Sequence, residues 1–147
     1  MNSFILLLHV LAATIWTGGH LVLAITILPR VLKEKTLNDL LRFESGYEKI
    51  GVPALIIQVV TGLWLAHDLM PDVGMWFSLD NPISRLILVK LSLLLLTVLF
   101  AVDARLRIIP NLTVENLMPL AYHIIPVTFI SVLFVIVGVS FRTGGLF

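Results

Sequence analysis

Four apolar runs separated by short polar stretches dominate the hydropathy pattern of the chain. A helix that crosses a membrane needs roughly 20 predominantly apolar residues, and each run is close to that length. The pattern predicts four transmembrane helices, at residues 4–28, 50–66, 86–102 and 120–141. We therefore expect one all-α domain over residues 1–147, folded as an integral membrane four-helix bundle. Any site must then lie between the helices.

Positive charge is unevenly distributed among the polar stretches. The first connection carries five lysine and arginine residues and the third carries two, whereas the other side of the membrane carries two. Because cytoplasmic loops hold the excess of positive charge, this bias predicts cytoplasmic first and third connections, with both termini outside. We expect a bacterial inner membrane. Residues 37–48 mix apolar and charged positions, which predicts a short helix lying on the inner membrane face.

Composition narrows the chemistry further. Apolar residues make up 59% of the chain and charged residues 13%, against roughly 45–50% and about 25% in soluble domains. The chain has no cysteine, which excludes disulfides, iron–sulfur clusters, thiolate zinc sites and c-type haem attachment. A net charge of +1 without a basic block gives no indication of nucleic-acid binding. Histidine is the strong nitrogen ligand that remains.

Ionisable residues inside the apolar runs are the candidate site residues, because they are costly in a bilayer and usually serve a function. His9 and His20 are eleven residues apart, which places them on nearly the same helix face at two depths. The predicted helix directions then sort five residues into two layers. The outer layer contains His9, His67 and Lys90, and the inner layer contains His20 and His123.

Two histidines from different helices at one depth suit the axial positions of a six-coordinate haem. We expect His9 to pair with His67 and His20 with His123, which gives one b-type haem, or two if both layers are occupied. Lys90 would balance a haem propionate or replace His67 as a ligand. Small and aromatic residues would admit the flat ring and pack against it: Trp16, Gly18, Gly19, Gly62 and Trp64.

Such a chain would be a membrane cytochrome, a haem-dependent oxidoreductase that transfers electrons across the bilayer or from a quinol or another redox partner. Its small size also suits a homodimer or a subunit of a larger complex. The same residues have structural alternatives. The glycines and tryptophans suit close helix packing, His67 suits solvation at the interface, and Lys90 suits an amine extended toward water.

Copper handling is a second functional alternative. Copper(I) prefers soft sulfur ligands, and Met70 and Met75 lie near His67 in the second connection. His9 and His20 would supply further copper ligands at successive depths. A haem protein is red with a Soret band, whereas a protein that binds only copper is not, so a spectrum separates the two hypotheses.

Short motifs follow one another in order through all four apolar runs. They are His9-x6-Trp16-x-Gly18, Leu28-Pro29-Arg30, Tyr47-x2-Ile50-x2-Pro53-Ala54, Gly62-Leu63, Lys90-Leu91 and Ile125-Pro126. Together they resemble the superfamily of HemJ-type protoporphyrinogen oxidases and copper-resistance protein D (CopD). The HemJ resemblance implies a b-type haem, porphyrinogen oxidation and functional roles for His9 and Lys90. The CopD resemblance implies copper uptake or tolerance.

The chain departs from the HemJ pattern at two places. HemJ-type proteins usually carry further histidines near the end of the third run, where this chain has Phe-Ala-Val at residues 100–102. They also tend to have an Asn-Glu pair before the last proline, where this chain has Tyr122 and His123. The gained histidine favours an additional ligand over porphyrinogen oxidation.

Overall fold

Four long helices make up most of the protein, as a computed structural model of residues 2–145 describes it. They are α1 (Ser3–Glu34), α2 (Leu37–Leu69), α3 (Pro82–Asn111) and α4 (Met118–Thr143). The described residues contain no strand, so the prediction of an all-α four-helix fold is confirmed. Residues 1, 146 and 147, which the single-domain prediction includes, lie outside the described residues.

The surfaces of these helices are strongly apolar. All four are long and apolar enough to cross a membrane. Only 17–33% of the residues in their most apolar windows are buried inside the protein, so most of these residues are at least partly exposed on the helix surfaces. Contiguous apolar surface on this scale is unfavourable in water. The structure is therefore compatible with a bilayer environment.

Polar caps and residues with left-handed backbone fix several helix ends. The Asn2 side chain accepts hydrogen bonds from two backbone N–H groups in the first turn of α1, and Asn81 caps α3 directly before a proline. Lys35 has a φ of 53° and ends α1. Gly144 has a φ of 76° and ends α4, as expected for a left-handed C-terminal residue.

Helix α2 is longer than the apolar run that predicts it. Residues 37–48 are helical, but they continue into the second span without a break, so the prediction of a separate surface helix is wrong. No proline occurs between residues 37 and 52 to interrupt the helix. Tyr47 also holds this segment against α1, because its hydroxyl donates a hydrogen bond of 2.9 Å to the carbonyl of Trp16.

The helices associate as two pairs, α1 with α2 and α3 with α4, and α1 also packs on α4. Helices α2 and α3 do not pack along each other. The chain connects α1 to α2 at one end of the bundle, and we call this end the inner end, following the predicted orientation. A cluster of buried apolar side chains occupies this end, formed by Leu23, Leu28, Val31, Leu40, Leu117, Leu120, Ala121 and Ile124. The space between the pairs lies in the outer half.

Candidate functional site

A cavity of about 710 Å³ lies between the two helix pairs, and we call it the slot. Apolar side chains from all four helices form most of its walls. His9, Gln58, Lys90 and Arg142 are among its polar residues, and no aspartate or glutamate of the described chain lines it. Pockets for small molecules and cofactors measure roughly 300–1,000 Å³ and combine apolar walls with a few polar groups. The slot has the size and the chemistry of such a pocket.

His9 is held in one orientation on the α1–α2 wall of the slot. Its Nδ1 lies 2.8 Å from Oγ1 of Thr61. That hydroxyl donates a hydrogen bond to the carbonyl of Ile57 at 2.5 Å, so its oxygen accepts a hydrogen bond from the imidazole N–H. The hydrogen-bond network therefore assigns the proton to Nδ1 and leaves Nε2 with a free lone pair. Histidines that ligate metals are oriented in this way by a partner on their second nitrogen.

Gly62 makes room for the imidazole of His9. A Cβ at Gly62 would lie only 3.1 Å from Cε1 of the His9 ring, which is tighter than ordinary van der Waals contact. The sequence predicts Gly62 as a place where a cofactor ring approaches the backbone. In the structure the ring beside Gly62 is that of His9, so this glycine acts on the site through the histidine.

Lys90 lies on the opposite wall, which α3 and α4 form. A Cβ at Gly138 would lie 3.4 Å from its Nζ, and the ring centroid of Phe141 is 5.6 Å away. No described residue forms an ion pair with Lys90. Arg142, one residue after Phe141, lines the slot toward its outer end. The slot thus presents an imidazole on one wall and an amine on the other.

The sequence also places His67 in the outer layer, but the structure does not bring it into the slot. His67 is exposed and does not line the cavity. It follows Thr61 by six residues, a rotation of about 240° around the helix. Because Thr61 faces His9, the side chain of His67 points away from it. Trp64 is 58% exposed and likewise lies outside the slot lining.

His20 lies in a second, smaller cavity of about 170 Å³ at the inner end. Its Nδ1 lies 2.9 Å from the carbonyl of Trp16, and the hydroxyl of Tyr47 lies 3.3 Å from the same nitrogen. Trp16 is 8% exposed and lines both cavities. A Cβ at Gly19 would collide with the Tyr47 ring, so Gly19 is the residue that lets the tyrosine approach α1.

His123 does not meet His20 in a shared cavity, and it lines neither cavity. Its Nδ1 lies 2.7 Å from the carbonyl of Pro119, and its Nε2 lies 2.5 Å from Oδ2 of Asp103. Arg107 pairs with the same carboxylate at 2.8 Å. Both ring nitrogens are therefore engaged within the protein, and the ring links α4 to α3 at the inner end.

Thioether ligands for copper do not gather around His67. The sulfur of Met70 accepts a hydrogen bond of 3.1 Å from the hydroxyl of Ser84, which ties the second connection to α3. Met75 is 41% exposed. Within residues 2–145, no three histidine, aspartate or glutamate side chains come together as a metal site.

Three residues that shape the site are not among the predicted site residues. Thr61 orients His9, Gly138 lies against Lys90, and Tyr47 contacts His20. Thr61 directly precedes Gly62, a residue that the sequence does single out, and this adjacency was the available signal. The partner of a side chain on another helix depends on how each helix is rotated, which spacing along one helix does not specify.

No family model, curated protein or solved structure matches the chain.

Proposed function

We propose that the chain is a membrane cytochrome that binds one b-type haem in the slot and exchanges single electrons with a quinol or another redox partner. The observation that carries the proposal is the orientation of His9, whose Nε2 lone pair is left free beside a cavity of cofactor size. When bound, haem supplies reversible one-electron chemistry. His9 would hold the haem iron through its Nε2, as imidazole does in many haem proteins.

The opposite wall supports the same proposal. Lys90 belongs to the other helix pair and has no carboxylate partner among the described residues, so its amine would be available to the bound group. Arg142 would bind a propionate through charge-assisted hydrogen bonds. The mostly apolar lining would exclude water from the ring. These residues fit the group in size, ligand type and charge.

One haem is proposed in place of two. The smaller cavity has a volume of about 170 Å³, and His123 does not line it. Asp103 and Pro119 occupy both nitrogens of His123, which leaves the inner layer without a pair of available imidazoles. Likewise, we assign no axial role to His67, which is exposed and outside the slot.

The test is a haem count on the purified protein. Reduced-minus-oxidised spectra and a pyridine haemochrome assay should give one haem per polypeptide. His9→Ala should lose the haem, whereas His67→Ala, a matched change on the outer half of α2, should retain it. Lys90→Ala should keep the haem but remove the amine as a ligand of its iron, seen as a high-spin shift of the Soret band and as carbon monoxide binding.

Three outcomes would contradict the proposal. Wild-type protein that lacks haem after expression with ample haem supply would exclude the cytochrome function. Two haems per polypeptide would show that the inner layer also binds a haem. Equal haem loss in the His9 and His67 variants would show that the slot does not determine binding.

Porphyrinogen oxidation is a second candidate, and one observation favours it. His9 and Lys90, the two residues to which the HemJ resemblance assigns functional roles, line the same slot. With a quinone added as the electron acceptor, three quinones take up the six electrons and six protons that protoporphyrinogen IX loses. The purified protein should then produce fluorescent porphyrin faster than a His9→Ala control. An equal rate in both samples would exclude this activity.

A further inference from the structure

Two hydrogen bonds join α1 and α4 near the middle of the bundle, and none between described residues joins these helices farther toward the outer end. At the inner end of the slot, the hydroxyl of Thr17 donates to the carbonyl of Ser131 at 3.4 Å, and Thr128 donates to the carbonyl of His20 at 3.3 Å. Seven of the residues that line the slot are exposed on the outer surface of the protein, and none of them belongs to α3. Leu63 and Leu69 belong to α2, and Arg142 lies near the end of α4. The other four lie along α1 and α4 above this contact, and they are Val10, Thr14, Val135 and Val139.

These four residues form the two edges of an opening, which we call the outer gap. Val10 and Thr14 are four residues apart on α1, as are Val135 and Val139 on α4, so each pair lies along one side of its helix. The three valines are 42–49% exposed. The hydroxyl of Thr14 donates a hydrogen bond of 2.7 Å to the carbonyl of Leu11 in its own helix. Because this hydroxyl already has a partner, the edges of the gap are apolar in character.

The outer gap faces sideways. Val10 lies seven residues into α1, about 10 Å along the helix from Ser3, so the opening lies at a depth where the bundle surface is apolar and not at the polar end of the helices. Inside the gap, Lys90 and Arg142 are positive, and no acidic residue of the described chain lines the slot. An apolar opening in front of a positive interior suits a molecule with an apolar body and an anionic group.

We propose that the ligand of the slot enters and leaves sideways from the lipid bilayer through the outer gap. The ligand class is a flat, bilayer-dissolved amphiphile that carries carboxylates. Its identification as haem rests on the proposed function, whereas the route rests on the gap itself.

A cysteine inside the slot tests the route without haem, because the chain contains no native cysteine. A Cβ at Gly18 meets no atom within 4 Å, so Gly18→Cys places a thiol in the slot without strain. The protein is reconstituted in phospholipid vesicles, and a lipid-partitioned maleimide, pyrene maleimide, alkylates the thiol. The rate of alkylation then reports access from the bilayer.

Tryptophan substitutions at the gap provide the comparison. Val135→Trp should slow alkylation by about tenfold or more, equivalent to a barrier higher by roughly 1.4 kcal/mol. Leu133→Trp is the matched control, because Leu133 is 45% exposed against 43% for Val135 but does not line the slot. Val10→Trp narrows the gap from the other helix and should slow the reaction as well. Uptake of haem from haemin-loaded vesicles should slow in the same variants.

The outcomes separate the route from the proposed function. Unchanged alkylation in both Val135→Trp and Val10→Trp would overturn the route, as would a thiol at residue 18 that does not react in any variant. Slowing in Leu63→Trp alone would place the opening between α2 and α3 and contradict the outer gap. If alkylation is gated as expected but the wild type binds no haem, the route stands and the haem proposal fails.

Discussion

Gly18→Leu should abolish or weaken ligand binding without damaging the fold. Gly18 lines the slot, and a Cβ there meets no atom within 4 Å, so the first atom of a new side chain enters open space. Replacing glycine by leucine within a helix removes backbone entropy from the unfolded chain and stabilises the helix by about 0.5–1 kcal/mol. We therefore expect the unfolding temperature to stay constant or to rise.

The expected loss of affinity follows from overpacking. A ligand that fills the slot must share it with the four side-chain carbons of the leucine. Inserting methylenes into a filled, well-packed site costs about 1–3 kcal/mol. Because 1.4 kcal/mol corresponds to a factor of ten, the dissociation constant for haem should rise about 5- to 150-fold.

Gly46→Leu is the matched control. A Cβ at Gly46 also meets nothing within 4 Å, and Gly46 is a helical residue of α2 that does not line the slot. Haem titration into the haem-depleted protein and thermal unfolding in detergent should be measured for both variants. If Gly18→Leu binds haem as tightly as Gly46→Leu, the slot is not the haem site. If it unfolds at a much lower temperature, Gly18 has a packing role that the structure does not show.

Three further predictions address the groups around the slot. Thr61→Val should leave the Nδ1–H of His9 without its acceptor and weaken haem binding about 10- to 100-fold. Thr61→Ser keeps the hydroxyl and should bind haem normally. Equal haem affinities of the valine and serine variants would contradict the orienting role of Thr61. Gly19→Ala should cost about 1–3 kcal/mol of stability by overpacking against Tyr47, and in thermal unfolding this cost should shrink in a Tyr47→Ala background. An unchanged cost would place the clash elsewhere. Asp103→Asn should lower the unfolding temperature because it weakens the contact between Asp103 and His123, but the haem count should not change. Loss of haem in this variant would indicate a haem site at the inner end.

Helix number and the depth of the residues could be predicted from the sequence, because both depend on properties of single helices. Apolar length predicts the spans, and charge bias gives each span a direction. Those two steps place His9 and Lys90 in one layer, and the structure brings both into the slot. The extension of α2 through residues 37–48 could not be predicted in this way, since it depends on contacts with α1 made by Tyr47.

The partners of the histidines depend on the rotation of one helix against another. His67 lies five to six residues beyond Thr61 and Gly62, the α2 residues that contact His9, and the rotation of the helix leaves His67 exposed. The depth of His123 suits His20 equally well, yet the nearer acceptors of Asp103 and Pro119 take both of its nitrogens. Between α1 and α2, the rotation is set by side chains that pack against glycine, as His9 does against Gly62 and Tyr47 does against Gly19. The spacing of residues along one helix does not specify these contacts.

The adjacent glycines of α1 show how one short motif serves two purposes. Successive residues of a helix point about 100° apart, so Gly18 and Gly19 address different neighbours. Gly19 receives the ring of Tyr47, which draws the inner half of α2 against α1. Gly18 receives no side chain of the described protein and faces the slot. Gly18, Gly19 and Gly62 are the glycines predicted to contact a cofactor, and Gly18 is the one whose missing side chain shapes the slot itself. Substitutions at Gly18 therefore test ligand binding in the slot more directly than substitutions at Gly19 or Gly62.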